Sequence, residues 1–338
     1  MTRLVARAPG KLFLLGEYAV LDGGPAIVAG VDRCVEVQVA RTRTRSVRIA
    51  APGHADAVEF PAGGPLPDCA ALRFALAAYA HAAATYPRLA DAGLELSVTS
   101  HLDGASGVKV GLGGSAAVTV AIVAALFAAA GVEAAPCGVQ DAVFATAFHA
   151  HRDAQDGMGS GADVAASAYG GVVRFEPRRG ALPRTSALSL PAAARLLVAW
   201  TGTAAATVDL VRSYAALPDD KRRSAFRRAS RASVDWFAAG LQRGALSPAA
   251  IDAGGNALFQ LAESTGLPLL TPALRELVAR ARAHGAAAKP SGAGGGDCGI
   301  ALTADPAAAQ RIRADWQSAG LTPLDIGVSR QGVTVAAA

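Results

Sequence analysis

Residues Lys109-Val110-Gly111-Leu112-Gly113-Gly114-Ser115-Ala116-Ala117 run without a break into the apolar, helix-forming stretch Val118 to Ala130. Three glycines in four positions, then a small hydroxyl residue, then a helix, are what a phosphate-binding turn requires. Glycine admits positive φ and lets backbone come close to an anion, while the first amides of the following helix are unpaired and carry the positive end of its dipole. The same letters also describe an ordinary tight turn ahead of a buried helix. The pattern is neither the GxxxxGK[ST] loop nor the GxGxxG fingerprint after a first strand. What decides between the two readings is the rest of the chain.

At 338 residues the chain is too long for one ordinary core and suits about two domains of ~150 residues each. With 52% hydrophobic and 17% charged residues it is a folded protein, not a disordered one. Its net charge of +5 and pI near 9.3 raise the question of a nucleic-acid partner. The basic residues are scattered, however, with local clusters only at Arg41, Arg43 and Arg45 and at Lys221-Arg222-Arg223 with Arg227-Arg228. These read as solvent faces of a strand and a helix. Without interleaved aromatics or a nucleic-acid motif, an anionic small molecule suits the charge better. Cys34, Cys69, Cys137 and Cys298 form no CxxC pair or metal grouping and read as reduced and partly buried. No apolar leader or membrane-spanning stretch is evident, so the expectation is a cytoplasmic protein that binds no membrane.

Along the chain, Leu4 to Ala8 reads as a short strand ending in a turn at Pro9-Gly10, which delivers Lys11 to the start of a second apolar strand ending in Gly16-Glu17-Tyr18. Lys11 is either a surface lysine or a point charge on phosphate. Glu17 and Tyr18 orient a substrate hydroxyl, or Glu17 is an exposed strand-end carboxylate. Pro25 to Val31 and Cys34 to Val39 read as strands, 50–68 as a loop, Ala70 to Tyr86 as a helix, and Leu94 to Val98 as a strand. This order argues for a mixed α+β domain and against a regular βαβ repeat.

The run from His149 to Gly171 places Asp163 at the entry of a small-residue helix behind Ser160-Gly161. A carboxylate there is held charged and accepts a proton or hydrogen bond from a substrate, or it merely complements the helix dipole. His149 and His151, two residues apart, fall on different helix faces and make a poor metal pair. Residues 172–197 have the composition of a domain crossover, Leu196 to Trp200 reads as a buried strand, and Thr201 to Thr207 as a turn opening a helix. The section 219–285 reads as helical, broken at Gly240, Gly254-Gly255 and Gly266-Leu267-Pro268. The segment Ser291-Gly292-Ala293-Gly294-Gly295-Gly296 ahead of an apolar strand is entropically costly as a plain linker and better explained as a loop whose amides close on phosphate. Separated glycine-rich segments, an N-terminal lysine and a carboxylate together suggest phosphoryl transfer.

Pro9-Gly10-Lys11 with Gly16-Glu17, then Gly111 to Ala117, then Lys289-Pro290-Ser291-Gly292-Ala293-Gly294-Gly295-Gly296-Asp297 resemble, in order and over nearly the whole chain, the three motifs of the GHMP kinases. That superfamily includes galactokinase, homoserine kinase, mevalonate kinase and phosphomevalonate kinase. Tyr18 where mevalonate kinases usually carry His, Lys109 before the turn, and Gly159 to Ser167 make the chain most similar to the bacterial phosphomevalonate kinase branch.

The resemblance implies a two-domain α+β fold: a domain like ribosomal protein S5 domain 2 that binds ATP over residues 1–185, and a ferredoxin-like domain over 186–338, with the active site between them. It implies ATP- and Mg2+-dependent phosphorylation of 5-phosphomevalonate to 5-diphosphomevalonate in the mevalonate pathway to isoprenoids. Lys11, Lys109 and Asp163 would be catalytic. Gly111, Leu112, Gly113, Gly114, Ser115, Ala116 and Ala117 would hold ATP, with Ser115 at Mg2+. Glu17, Tyr18, Ser160, Gly161, Ser291, Gly292, Ala293, Gly294 and Gly295 would bind substrate. The turn departs from the usual two serines in having Gly114 as the first. A mevalonate or sugar-alcohol kinase, a diphosphomevalonate decarboxylase and a silent metabolite-binding relative are the rival readings, and a homodimer is left open.

Overall fold

The computed structural model describes residues 3–51, 57–104, 107–132 and 138–338; Cys137 lies outside them. In chain order the elements are β1 (Arg3–Leu15), β2 (Ala26–Thr42), β3 (Ser46–Ala50), β4 (Val58–Pro61), α1 (Arg73–Thr85), β5 (Gly93–Ser100), α2 (Gly114–Ala129), α3 (Val139–Asp153) and α4 (Ala162–Tyr169). The hairpin β6 (Val172–Glu176) and β7 (Arg184–Leu188) follows, then β8 (Arg195–Trp200), α5 (Thr207–Ala215), α6 (Lys221–Gln242), α7 (Pro248–Thr265) and α8 (Pro272–Ala283). The chain closes with β9 (Ala287–Ser291), β10 (Cys298–Thr303), α9 (Pro306–Ser318), β11 (Thr322–Leu324) and β12 (Thr334–Ala337).

Among the described residues, eight strands form one sheet with the path β12-β1-β2-β5-β3-β4, and β6 and β7 extend it from the first part of β2. Only β3 and β5 pair in parallel there; the other ladders are antiparallel. The second sheet, β11-β8-β10-β9, is antiparallel throughout. Helix α2 packs against β1, β2, α1, α3 and α4. It is apolar all round, as a helix enclosed on every side must be, and its alanines let those neighbours approach closely. The largest buried cluster runs from the first sheet into Val198, Ile300 and Leu302 of the second, so the two sheets share one continuous core.

Several local expectations are corrected. Pro9-Gly10 is not a turn: β1 is one strand that stays paired with β2 and shifts register between Pro9 and Lys11. The two strand predictions within 25–39 merge into β2, and the expected crossover contains the β6–β7 hairpin. Glycines 240, 254 and 255 do not break their helices. A Cβ on Gly254 would overlap the Leu15 side chain, and one on Gly255 would sit 2.9 Å from Lys289 Cβ, so these glycines mark where α7 presses against both sheets. The expected division at 185/186 cuts through β7, and β12 returns from the C-terminal end to pair with β1. No described helix is long and apolar enough to cross a membrane.

Candidate active site

The register shift in β1 brings Lys11 to the glycine-rich turn. Its amide donates to the Leu112 carbonyl (2.8 Å) and its Nζ to the Gly111 carbonyl (2.9 Å). The aliphatic stem crosses Gly113, whose φ is +79°; a Cβ there would lie 2.5 Å from Lys11 Cγ. A Cβ on Gly292 would lie 3.5 Å from Lys11 Nζ. The ammonium thus sits where the turn at Gly111–Gly113 meets the segment around Gly292, which is far from both Lys11 and that turn in the chain.

Helix α2 starts at Gly114 behind Gly113, and the first described helical bond runs from the Ala117 amide to the Gly113 carbonyl. The amides of Gly114, Ser115 and Ala116 therefore fall among the unpaired donors of the helix start. Leu112, Ala116 and Ala117 bury their side chains in the core, so only backbone from these residues can face a ligand. Gly114 is exposed, and a Cβ added to it meets nothing within 4 Å.

Asp163 is the second residue of α4, where an anion is favoured by the helix dipole. Ser160 Oγ accepts the Ala162 amide at 3.3 Å, which steadies the entry of that helix and leaves the hydroxyl proton available. Gly161 is buried against Phe148. Between Ser115 and Asp163 lies His151, which the sequence reading weighed only as half of a metal pair. Its Nε2 is 3.2 Å from Ser115 Oγ and 3.8 Å from Asp163 Oδ2. The buried positions of α3, Val143, Phe144, Ala147, Phe148, Ala150 and His151, form one helical stripe. That periodicity was the available signal, since it puts His151 inside and leaves His149 exposed.

The third glycine-rich segment is held by residues expected to touch substrate. Glu17 is neither free nor exposed: its carboxylate pairs with the Lys289 ammonium, and both side chains are buried. Burial drives the Lys289 pKa below the ordinary lysine value, and Glu17 opposes that shift. The Tyr18 hydroxyl donates to the Ala293 carbonyl. Ser291 spends its hydroxyl on β1, donating to the Phe13 carbonyl (2.9 Å) and accepting the Phe13 amide (3.1 Å). Gly295 donates its amide to Leu269 O (2.7 Å), and Gly294 packs against the same carbonyl. What the segment leaves toward Lys11 is backbone around Gly292.

Asp297 is a further residue at this junction. It donates its amide to Thr203 O (2.7 Å), its Oδ1 accepts the Ala205 amide (2.9 Å), and a Cβ on Gly111 would lie 2.6 Å from its Oδ2. Burial raises its carboxyl pKa, opposed by the Ala205 amide and the charge of Lys11. Next to it, the Cys298 thiol donates to the Val110 carbonyl (3.0 Å), and burial pushes its pKa up to about 12, which makes it packing and not a nucleophile. Lys109 is exposed two residues before Gly111, and no hydrogen bond among the described residues occupies its ammonium.

The structure thus brings together Lys11, the start of α2, Gly292 and Asp297, and links Ser115 through His151 to Asp163. The family model for the GHMP kinases N terminal domain matches residues 72–171, and that for the GHMP kinases C terminal matches 237–321. The chain belongs to the GHMP kinase family. Phosphomevalonate kinase of Streptomyces sp. (strain CL190) is 35% identical over 98% of both chains. Mevalonate kinase of Pyrococcus furiosus is 28% identical, again over 98% of both. Among solved structures, Streptococcus pneumoniae phosphomevalonate kinase in complex with phosphomevalonate and AMPPNP superposes with a TM-score of 0.81 at 23% identity, covering 96% of this chain and 99% of that one. This GHMP kinase therefore has the two-domain α+β fold of its family, with the motifs at the junction of its two sheets.

Proposed function

We propose that the chain transfers the terminal phosphoryl group of ATP to 5-phosphomevalonate, releasing ADP and 5-diphosphomevalonate. The observation that carries this reading is Lys11 standing between the unpaired amides at the start of α2 and the backbone of Gly292, a cation flanked by two anion-seeking stretches of main chain. The acceptor is inferred from the Streptomyces relative, and the nucleotide from the ATP analogue held by the Streptococcus enzyme.

In this reading the amides of Gly114, Ser115 and Ala116 receive nucleotide phosphates, and Lys11 neutralises charge on the transferred group. Lys109, exposed beside the turn, supplies a second cation for the phosphate of the acceptor. A phosphate monoester has a second pKa of ~6 and is largely dianionic at neutral pH, so its oxygen attacks phosphorus without first losing a proton. Asp163 then serves to place the acceptor more than to deprotonate it.

No group of three or more His, Cys, Asp or Glu among the described residues could enclose a metal ion. Mg2+ in kinases keeps several waters and takes one or two protein oxygens plus substrate phosphates, and the Ser115 hydroxyl with the Asp163 carboxylate fits that modest requirement. When bound, Mg2+ supplies charge neutralisation across the phosphates.

The mevalonate kinase relatives favour a second reading in which Asp163 deprotonates an alcohol. A coupled ADP-release assay with 5-phosphomevalonate against mevalonate separates the two: turnover of the phosphorylated acceptor is expected, and turnover of mevalonate alone would replace the proposal. Release of CO2 would indicate a decarboxylase.

A further inference from the structure

We infer that His151 is a positioning residue that fixes the Ser115 hydroxyl and the Asp163 carboxylate relative to each other. The inference rests on the phosphoryl-transfer reading above and extends it to a residue that none of the motifs contains. His151 is 1% exposed, and its ring stacks on Phe74 with centroids 5.0 Å apart and planes at 26°. A polar ring in such a place loses hydration and must recover it through specific partners. Its Nε2 finds them at 3.2 Å in Ser115 Oγ and 3.8 Å in Asp163 Oδ2. These partners sit on α2 and α4, and the ring comes from α3, so one side chain references three helices to a single point.

The geometry also selects a tautomer. An Nε2 lone pair would face the carboxylate oxygen, whereas an Nε2–H points its positive end at both oxygens. The ring with a proton on Nε2 therefore donates to Ser115 Oγ. A serine hydroxyl has one proton and two lone pairs, so accepting this bond leaves one lone pair and the proton for a ligand and removes the hydroxyl's freedom to rotate. Asp163 gains a fixed dipole on its inner side, which turns its carboxylate toward the same region.

The test uses the full chain. His151→Phe keeps a ring to stack on Phe74 but has no donor, and His151→Gln keeps an N–H of similar reach. We expect His151→Phe to lower kcat about 10–100-fold, the usual cost of losing a group that orients a ligand-binding side chain. The acceptor KM and the thermal midpoint should stay near wild type, and His151→Gln should recover most of kcat. His149→Ala, on the exposed side of the same helix, should behave as wild type. Independently of turnover, 15N NMR of the ligand-free protein should show a protonated Nε2 for the resonance that disappears in His151→Gln, among the six histidines of the chain. Wild-type kcat in His151→Phe, or a bare Nε2 in the spectrum, would overturn the inference. If His151→Phe does not fold, the spectrum decides. If wild type turns over no acceptor at all, the functional proposal fails while the spectrum still decides the placement of the proton.

Discussion

Lys289 and Glu17 form an ion pair from which solvent is excluded, their side chains 0% and 3% exposed, between partners 272 residues apart. The pair ties β9 of the second sheet to the residues that follow β1 in the first. Lys289 also donates to the Pro290 carbonyl at 2.6 Å, so the ammonium is shared between the carboxylate and its own strand.

Removing one member should therefore cost far more than a surface bridge. Lys289→Met leaves the Glu17 carboxylate buried with the Gly292 amide, at 3.5 Å, as its remaining donor among the described residues. The expected loss is about 3–5 kcal/mol, as for an uncompensated buried charge. Glu17→Gln combined with Lys289→Met should recover part of that loss, because no net charge then remains inside. Urea unfolding of the two variants and wild type measures both numbers.

A second link, from the turn after β1 to helices α5 and α6, is pH-sensitive. Asp22 accepts from Arg223 at 2.9 and 2.5 Å and from the Tyr214 hydroxyl at 2.7 Å. Burial raises its carboxyl pKa, but these hydrogen bonds and the charges of Arg223 and Arg227 outweigh burial and hold it below the ordinary 3.8. A carboxyl depressed on folding contributes stability that is whole above its unfolded pKa and is lost as pH falls through the lower folded one. Asp22→Asn should thus lose about 1.5–3 kcal/mol at pH 7, the range for a hydrogen bond to a charged group. The gap from wild type should close as the pH is brought below 3.8, read from denaturant midpoints across that range.

Adjacent glycines in the turn should respond in opposite ways. At Gly113 the positive φ and the Lys11 stem 2.5 Å from a Cβ leave alanine no room, so Gly113→Ala should displace Lys11 and weaken nucleotide binding. At Gly114 an added side chain meets open space. Gly114→Ser should raise stability by roughly 0.3–0.5 kcal/mol through helix propensity alone. Because Ser115 is retained, ATP turnover should stay near wild type. Calorimetric nucleotide titration of both variants checks the contrast.

These cases mark where the chain could be read and where it could not. The turn at 111–117, Lys11 and the loop before β10 were legible because glycine and helix-start requirements are local. Glu17 and Tyr18 were not, because their partners Lys289 and Ala293 lie on the far side of the chain and nothing near residue 17 announces them. Gly254-Gly255 looked like a helix break because composition does not reveal that Leu15 and Lys289 press on that face of α7. Pro9-Gly10 looked like a turn because a bulge is a property of the pairing with β2 and not of the dipeptide. His151 was legible in the apolar stripe of α3, but a test for metal spacing alone passes over it.

The proposed division of labour between Lys11 and Asp163 makes the sharpest kinetic prediction. Lys11 meets the growing charge of the transferred group, and its Nζ has Gly111 O as its hydrogen-bond partner among the described residues, so Lys11→Met should keep the fold. Its kcat/KM should fall about 100- to 1,000-fold, as when one donor to a developing oxyanion is removed. Asp163→Asn preserves shape and the contact with the Val164 amide, which lies 3.0 Å from Oδ1. With a phosphate dianion as acceptor there is no proton to remove, so the loss should stay under about 100-fold, below the usual span of general-base catalysis. Steady-state rates with 5-phosphomevalonate rank the two variants. If Asp163→Asn proves the more damaging at saturating Mg2+, the carboxylate does more than place the acceptor, and the division of labour proposed here is wrong.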